Sequence, residues 1–204
     1  DRAGVLLMGV YAPTIVPFVQ QCKRPLVLVD IIQNTTADVV TTDNRAGIAA
    51  GFDHLYELGH RRMGFVGVGD TIVGFRERYQ AFRSKMADAG LTVRTEWNYE
   101  GANRIDLTAD AVTRILRQSD RPTAFMCAND WEALGVIRAA AQAEVSIPRD
   151  ISVVGFDDGD LAAAVTPALT TIRVPASEIG RQAVRQLVLR SMKPFPAGYE
   201  GVHV

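Results

Sequence analysis

The sequence predicts an α/β fold in which helices cover mostly parallel sheets. Short apolar runs alternate with stretches of helical periodicity along nearly all of the 204 residues, and this alternation is typical of repeated βα units. The runs are continuously apolar rather than alternating with polar residues, which indicates strands buried on both faces. The chain is long enough for one domain or for two small lobes.

Seven short runs rich in apolar and β-branched residues are predicted as strands. They are Val5–Met8, Pro25–Asp30, Val39–Thr41, Arg62–Val68, Thr123–Cys127, Ile151–Gly155 and Leu169–Arg173. Helical spacing of apolar residues predicts five helices, of which the first two end at a glycine, the residue type suited to a helix C-terminus. These helices are Asn44–Leu58, Gly74–Ala89, Asp106–Gln118 with Asp106 as N-cap, Asp130–Ala143 and Ala176–Met192.

Composition excludes several classes of protein. The 22 Lys and Arg against 23 Asp and Glu give a net charge of −1, so this chain lacks the basic surplus of a segment that neutralises phosphates. If DNA is bound, another segment must contact it. Cys22 and Cys127 lack C-x-x-C spacing, which favours reduced thiols and a cytoplasmic protein. No apolar run approaches the ~18 residues of a membrane span.

Motifs for enzymatic chemistry are weak or missing. The run 67–72 begins like a dinucleotide fingerprint, but Ile72 stands where the third glycine would allow close helix packing. His54 and His60 are six residues apart and would face different sides of one helix, so solvated or capping roles are favoured over a metal site. No nucleophile elbow or phosphate loop is present. The sequence therefore predicts no enzyme and no cofactor.

Polar residues that follow predicted strands are candidates for binding, because open α/β sheets bind ligands at the carboxyl ends of their strands. Asn129 could cap the following helix, with Glu132 returning a capping-box bond, or it could contact a ligand. Asp157 could hold two hydroxyls of a polyol, although a solvated turn beside Gly159 and a phosphoacceptor role are alternatives. Arg78 lies one residue from an apolar stripe, and its position alone favours a solvated face.

Four blocks of sequence, in order over about residues 39–188, form a recognisable set. They are Asp43–Gly47 with His54-Leu55 and Glu57–Arg62, then Arg78 with Ala81-Phe82, then Ala128–Asp130 with Ala133–Gly135, and finally Ile147–Asp158 with Thr166–Ile172 and Ile179-Gly180. Together these blocks resemble the LacI family of bacterial transcription regulators. Ala81 stands where the family usually has glycine in R-x-x-G-[FY], a mild departure.

This resemblance implies a periplasmic-binding-protein-like type I fold of two parallel-sheet lobes. Residues 1–60 plus 173–192 would form the N-terminal lobe, and residues 61–172 plus 193–204 the C-terminal lobe. It also implies that the chain begins at the third βα unit of the first lobe and stops before a closing strand. The first lobe would then be incomplete, and a DNA-binding headpiece would lie outside this sequence.

The resemblance assigns roles to four residues. Arg78 and Asp157 would anchor a small-molecule effector, Asn129 would add a hydrogen bond, and Asn103 would lie on the cleft wall, where it cannot stack on a sugar ring as an aromatic residue would. The implied effector is a sugar or related polyol. The implied partners are operator DNA, reached through the headpiece, and a second copy in a cytoplasmic homodimer, with no membrane.

Two other functional classes remain open from the sequence. A periplasmic sugar-binding protein for transport or chemotaxis would share the fold and the cleft. An enzyme with a doubly wound fold is the third class, although no acid–base pair, metal cluster or phosphate loop supports it.

Overall fold

A computed structural model of the chain describes residues 4–9, 12–31, 37–69, 73–101, 103–192 and 201–204. In this described part, helices and strands alternate as an α/β protein requires, which confirms the predicted class. The strands are β1 (Val5–Met8), β2 (Leu26–Val29), β3 (Asp38–Thr41), β4 (Met63–Val66), β5 (Ala124–Cys127), β6 (Ser152–Asp157), β7 (Thr170–Arg173) and β8 (Gly201–His203). The helices are α1 (Ala12–Gln21), α2 (Asn44–Glu57), α3 (Val73–Asp88), α4 (Ile105–Leu116), α5 (Asp130–Gln142), α6 (Asp160–Ala164) and α7 (Ala176–Met192), with a 3-10 turn at Thr95–Trp97.

The chain divides into two compact units, each with its own parallel sheet. The first unit comprises Asp1–Asp43, Thr71–Gly74 and Pro175–Val204, and the second comprises Asn44–Asp70 and Phe75–Val174. Strand order is β1-β2-β3-β8 in the first sheet and β4-β5-β6-β7 in the second, and every pairing is parallel. Two parallel sheets were expected from the sequence and are confirmed.

In the first unit, α7 packs on β1, β2 and β3. Leu28 and Val39 belong to the apolar cluster of this unit. The carboxylate of Asp38, at the start of β3, is fully buried. It accepts hydrogen bonds from both Nε and Nη2 of Arg190 on α7. Strand β8 pairs with β3, so the C-terminal residues 201–203 lie in the first unit, whereas the expected division assigned 193–204 to the other lobe.

In the second unit, α2 packs on β5, β6 and β7, and its residues Ile48, Phe52 and Leu55 are buried. A Cβ at Gly51 would collide with the end of the Met126 side chain and crowd Val154 and Ile172, so the helix lies close to the sheet at this glycine. The second unit therefore begins at Asn44. The expected boundary lay near residue 60, because the sequence pattern of α2 shows an apolar face without showing which sheet it covers.

Element boundaries from the sequence are close to those of the structure, with specific errors. Asp106 was predicted as an N-cap, but α4 begins one residue earlier and its N-cap is Arg104, which makes no side-chain capping bond. The elements α1, α6 and β8 were not predicted. Both cysteines were expected to be buried thiols; Cys127 is buried, whereas Cys22 is only half-buried. Burial raises the pKa of Cys127 well above its ordinary value. No helix in the described residues has the length and apolarity to cross a membrane.

Candidate functional site

The four predicted site residues all lie in the second unit, around the edge where its parallel strands end. Asp157 ends β6, Asn129 follows β5, and Arg78 extends from α3 to the same edge. Asn103 precedes α4 and bonds to Asn129. Arg78 donates to Asp157 and to the carbonyl of Ala128, and the next residue in the chain, Asn129, donates to Asn103. The structure therefore brings the four residues together, as the resemblance implied.

Arg78 is the buried centre of this network, with 9% of its surface exposed. Its Nε donates to Oδ1 of Asn44 at 2.7 Å, its Nη1 donates to the carbonyl oxygen of Ala128 at 2.5 Å, and its guanidinium lies 3.7 Å from the centroid of the Phe156 ring. The interpretation of Arg78 as a solvated residue was wrong. Burial is tolerated because fixed acceptors and an aromatic face replace the water that a guanidinium would lose.

Asp157 is the exposed end of the network. Its Oδ1 lies 3.4 Å from Nη1 of Arg78, and 43% of its side chain is exposed. Its φ of +114° lies in a region that L residues rarely adopt, and such a conformation costs of order 1–3 kcal/mol. The fold thus holds a carboxylate at the sheet edge in a strained backbone, a feature that is concentrated at ligand sites.

The two adjacent aspartates have different partners. Asp158, with a φ of +57°, accepts from Nε of Arg173 at 2.6 Å, while Asp157 faces Arg78. Gly159 then provides the N-cap residue of α6, and its N–H donates to Asp130 at 2.9 Å. The sequence left a polyol-binding carboxylate, a solvated turn and a phosphoacceptor as alternatives for Asp157, and the structure places Asp157 and Asp158 beside different arginines.

Asn129 is the N-cap of α5, as one of the two sequence interpretations held. Its Oδ1 accepts from the backbone N–H of Glu132 at 2.9 Å, and its Nδ2 donates to Oδ1 of Asn103 at 2.8 Å. The reciprocal half of the predicted capping box is wrong, because the Glu132 carboxylate accepts from the backbone N–H of Asn103 and from the Thr108 hydroxyl. Burial raises the pKa of Glu132, and those two hydrogen bonds oppose the rise.

Two further polar residues support the site and were not singled out from the sequence. Asn44, the first residue of α2, accepts from Arg78 and donates to Oε2 of Glu77 at 2.8 Å. Asp130 is buried and accepts from the Thr171 hydroxyl and from the Gly159 N–H. Both residues are adjacent to noted positions, in the pairs Asp43-Asn44 and Asn129-Asp130, but sequence does not reveal which buried partner a polar side chain reaches.

His60 is held by two hydroxyl groups. Nδ1 of His60 lies 2.9 Å from the Thr123 hydroxyl and Nε2 lies 3.0 Å from the Ser152 hydroxyl, so His60 is half-buried rather than solvated. Burial, followed by the nearby charge of His54, lowers the pKa of His60. Across the described residues, no cluster of three or more His, Cys, Asp or Glu side chains could hold a metal ion.

The second unit also has an apolar pocket of about 180 Å³ that contains none of the predicted site residues. It is formed where β6 and β7 begin, at the opposite end of these strands from Asp157. The lining described here has no Arg, Lys, Asp or Glu, so it does not suit a polar ligand. Its walls are His54, Leu55, Leu58, Ile137, Ile147, Pro148, Ser152, Val153, Val154, Pro167, Ala168, Leu169 and Thr170.

Comparisons with known proteins place this fold and site in a family. The family described as periplasmic binding protein-like domain matches residues 52–197. The HTH-type transcriptional repressor PurR of Haemophilus influenzae is 34% identical over 166 residues, which are 81% of this chain and 49% of the repressor. The chain thus spans about half the length of the curated relatives it matches.

Two solved structures of transcriptional regulators superpose on this chain. A LacI-family regulatory protein from Chloroflexus aggregans superposes with a TM-score of 0.88 at 25% identity, covering 98% of this chain and 73% of that protein. The complex of the transcriptional regulator CelR with cellobiose superposes with a TM-score of 0.86 at 25% identity, covering 98% and 63%. These relatives are transcriptional regulators and not enzymes. The chain therefore belongs to the periplasmic binding protein-like domain family, and within it to the effector-binding domains of LacI-type regulators.

Proposed function

We propose that the network of Asp157, Arg78, Asn129 and Asn103 forms one wall of the effector site, and that the effector is a sugar or related polyol. The observation that carries this proposal is the partly exposed carboxylate of Asp157 held beside a buried arginine. A carboxylate accepts hydrogen bonds from neighbouring hydroxyls, while arginine and amide groups donate to their oxygens. Polyols combine donor and acceptor at every hydroxyl, which suits this mixture of groups.

One of the comparisons supports a sugar-like effector. The regulator CelR, which superposes on this chain, was solved with cellobiose. In the site described here, charged and amide groups follow each other along one strand edge, which favours a ligand with several polar groups over a mainly apolar one. The charge of the Asp157 carboxylate also offsets that of the Arg78 guanidinium beside it, which suits a neutral effector better than a dianion.

The regulatory role follows from the same proposal. Effector binding would change the relative stability of two arrangements of a homodimer and so alter the spacing of headpieces on operator DNA. The net charge of −1 supports the view that DNA contacts come from a headpiece outside this sequence. A cytoplasmic location fits this role, and no cofactor is required.

A thermal-shift screen tests the proposal. The chain is heated with cellobiose, ribose, glucuronate and adenine, which represent neutral sugars, sugar acids and nucleobases. A ligand at about 100 times its dissociation constant adds about 2.7 kcal/mol to native stability. We expect a sugar to stabilise the wild type and the shift to vanish in Asp157→Ala.

Asp158→Ala is the matched control, because Asp158 is the neighbouring aspartate with positive φ and pairs with Arg173 instead of Arg78. It should retain most of the ligand-induced shift. A shift that survives in Asp157→Ala, or that is lost equally in both variants, would remove Asp157 from the effector site. Stabilisation by adenine alone would replace the sugar with a nucleobase.

A further inference from the structure

Asn103, Asn129 and Glu132 form a closed ring of hydrogen bonds at the start of α5. The backbone N–H of Glu132 donates to Oδ1 of Asn129 at 2.9 Å, Nδ2 of Asn129 donates to Oδ1 of Asn103 at 2.8 Å, and the backbone N–H of Asn103 donates to Oε1 of Glu132 at 2.8 Å. Each residue is therefore both a donor and an acceptor within the ring.

The ring fixes which way both amide side chains point. A backbone N–H can only donate, so the atom of Asn129 that faces Glu132 must be the oxygen. The nitrogen of Asn129 then faces Asn103, which must present its own oxygen in return. The NH2 group of Asn103 is left on the other side, where it has no hydrogen-bond partner among the described residues, and Asn103 is an exposed residue.

Glu132 is the member that holds the backbone of this loop. It has no exposed surface, and its second carboxylate oxygen accepts from the Thr108 hydroxyl. Asn103 has a φ of +53°, and a Cβ at Gly101 would collide with Oε1 of Glu132 and lie 2.7 Å from the Cα of Gly67. Gly101 and the backbone N–H of Asn103 therefore both lie against the Glu132 carboxylate.

We propose that Glu132 is a positioning residue that fixes the Asn103 amide as a hydrogen-bond donor toward the effector. The effector then presents an acceptor atom, a hydroxyl, carbonyl or carboxylate oxygen, at this point of the wall. This inference rests on the proposed effector site. Glu132 itself is buried beneath the loop and acts through Asn103 and Asn129.

The first test needs no ligand. ¹⁵N NMR gives two readouts, which are the hydrogen exchange of the Asn103 backbone amide and the side-chain NH2 resonances of Asn103 and Asn129. The spectra are recorded for the wild type, Glu132→Leu, Glu132→Gln and Asp110→Asn. Leucine removes both acceptors, so the Asn103 backbone amide should exchange at least about tenfold faster and both side-chain NH2 signals should move.

Glutamine keeps an acceptor for Asn103, and the Thr108 hydroxyl can rotate to accept from its NH2 group, so Glu132→Gln should restore the wild-type pattern. Asp110 is an exposed acid on α4 and should leave the pattern unchanged. Equal exchange in wild type and Glu132→Leu, or failure of glutamine to rescue a folded protein, would overturn the positioning role.

The second test changes the polarity of Asn103 alone. Asn103→Asp keeps an oxygen for Asn129 but replaces the outward NH2 with a carboxylate oxygen. For the panel member that stabilises the wild type, we expect about a tenfold or greater loss of affinity, whereas Asn103→Gln, which retains a donor, loses less. Unchanged affinity in Asn103→Asp would show that Asn103 does not donate to the effector. If no panel member binds the wild type, the proposed site and the donor role both fail, while the exchange data still decide whether Glu132 positions the loop.

Discussion

Among the described residues of each unit, an arginine reaches an aspartate on a strand, and the two pairs differ in burial, distance and position on the strand. Asp38 is fully buried, and Arg190, whose side chain is 14% exposed, reaches both of its carboxylate oxygens. Arg78 is the buried partner of its pair, while 43% of the Asp157 side chain is exposed, at the longer separation of 3.4 Å. Asp38 begins its strand, whereas Asp157 ends its strand with a φ of +114°.

This difference separates a structural ion pair from a candidate binding pair. In a buried, two-pronged pair both carboxylate oxygens face the arginine, and the fold shields the two charges from solvent. A half-exposed carboxylate at a longer distance from its arginine can exchange water for the hydroxyls of a ligand without unfolding its surroundings. The contrast predicts that the first pair governs stability and the second governs effector affinity.

The largest expected effect comes from removing Arg190 from its buried pair with Asp38. Arg190→Ala leaves the Asp38 carboxylate buried without its main partner, which should lower the free energy of unfolding by about 3–5 kcal/mol. Urea denaturation measures the loss. Arg181→Ala is the control, because its pair with Glu178 is exposed and such pairs contribute about 0–1 kcal/mol. Equal losses in the two variants would contradict the structural assignment of Arg190.

A smaller loss of stability, together with a loss of effector binding, is expected for Arg78→Lys. A lysine cannot reproduce the fork that serves both Asn44 and Ala128, so at least one buried acceptor loses its donor at a cost of about 1–3 kcal/mol. Arg83→Lys, on the same helix but exposed, is the control. Urea denaturation and titration with the stabilising ligand should both respond only to Arg78→Lys. A variant that binds as tightly as the wild type would exclude Arg78 from the site.

The third effect concerns Asn129, which is the N-cap of α5 and also belongs to the proposed wall of the effector site. Asn129→Ala removes the acceptor for the Glu132 N–H, and loss of an N-cap costs about 1 kcal/mol. Asn129→Ser should recover most of this stability, because serine also caps helices, but it cannot reach Asn103 in the same way. The structure thus predicts restored stability with effector affinity still reduced. Full recovery of affinity in the serine variant would show that Asn129 acts only as a cap.

The smallest expected effect is a pH dependence of stability that comes from His60, which belongs to neither ion pair. Burial lowers the pKa of His60 below its ordinary 6.5, so the unfolded chain binds a proton more readily than the native protein does. The stability linked to His60 is therefore complete above pH 6.5 and is lost as the pH falls through the native pKa. Urea denaturation between about pH 8 and pH 5 should show that the free energy of unfolding declines less steeply in His60→Gln than in the wild type. Identical slopes would contradict the assignment.

The regular elements could be predicted because periodicity reports local structure directly. The predicted bounds of α7 match the structure at both ends. The predicted C-terminal ends of α2 and α5 each lie one residue beyond those in the structure. Helix α1 was missed because it contains Pro17, a residue that normally argues against a helix interior. The three residues of β8 carry too little pattern to identify a strand without its partner β3.

The site was harder to predict because it depends on contacts between distant residues. Periodicity placed Arg78 on a solvated face, since the ring of Phe156 and the acceptors on Asn44 and Ala128 that make its burial possible are far away in sequence. Glu132 showed the spacing of a capping box, but Asn103 and Thr108 compete for its carboxylate. The resemblance to a family gave the positions of the candidate site residues, and the structure gave their partners.

The most direct test of the contrast between the two arginines is a ¹⁵N NMR titration of the arginine Nε–Hε groups with the sugar that stabilises the chain. Arg78 and Arg190 are assigned by comparing spectra of Arg78→Lys and Arg190→Lys with the wild type. We expect the Arg78 signal to shift in proportion to occupancy while the Arg190 signal stays in place. A ligand that saturates the protein and leaves Arg78 unmoved, or that moves Arg190 instead, would contradict the proposed effector site.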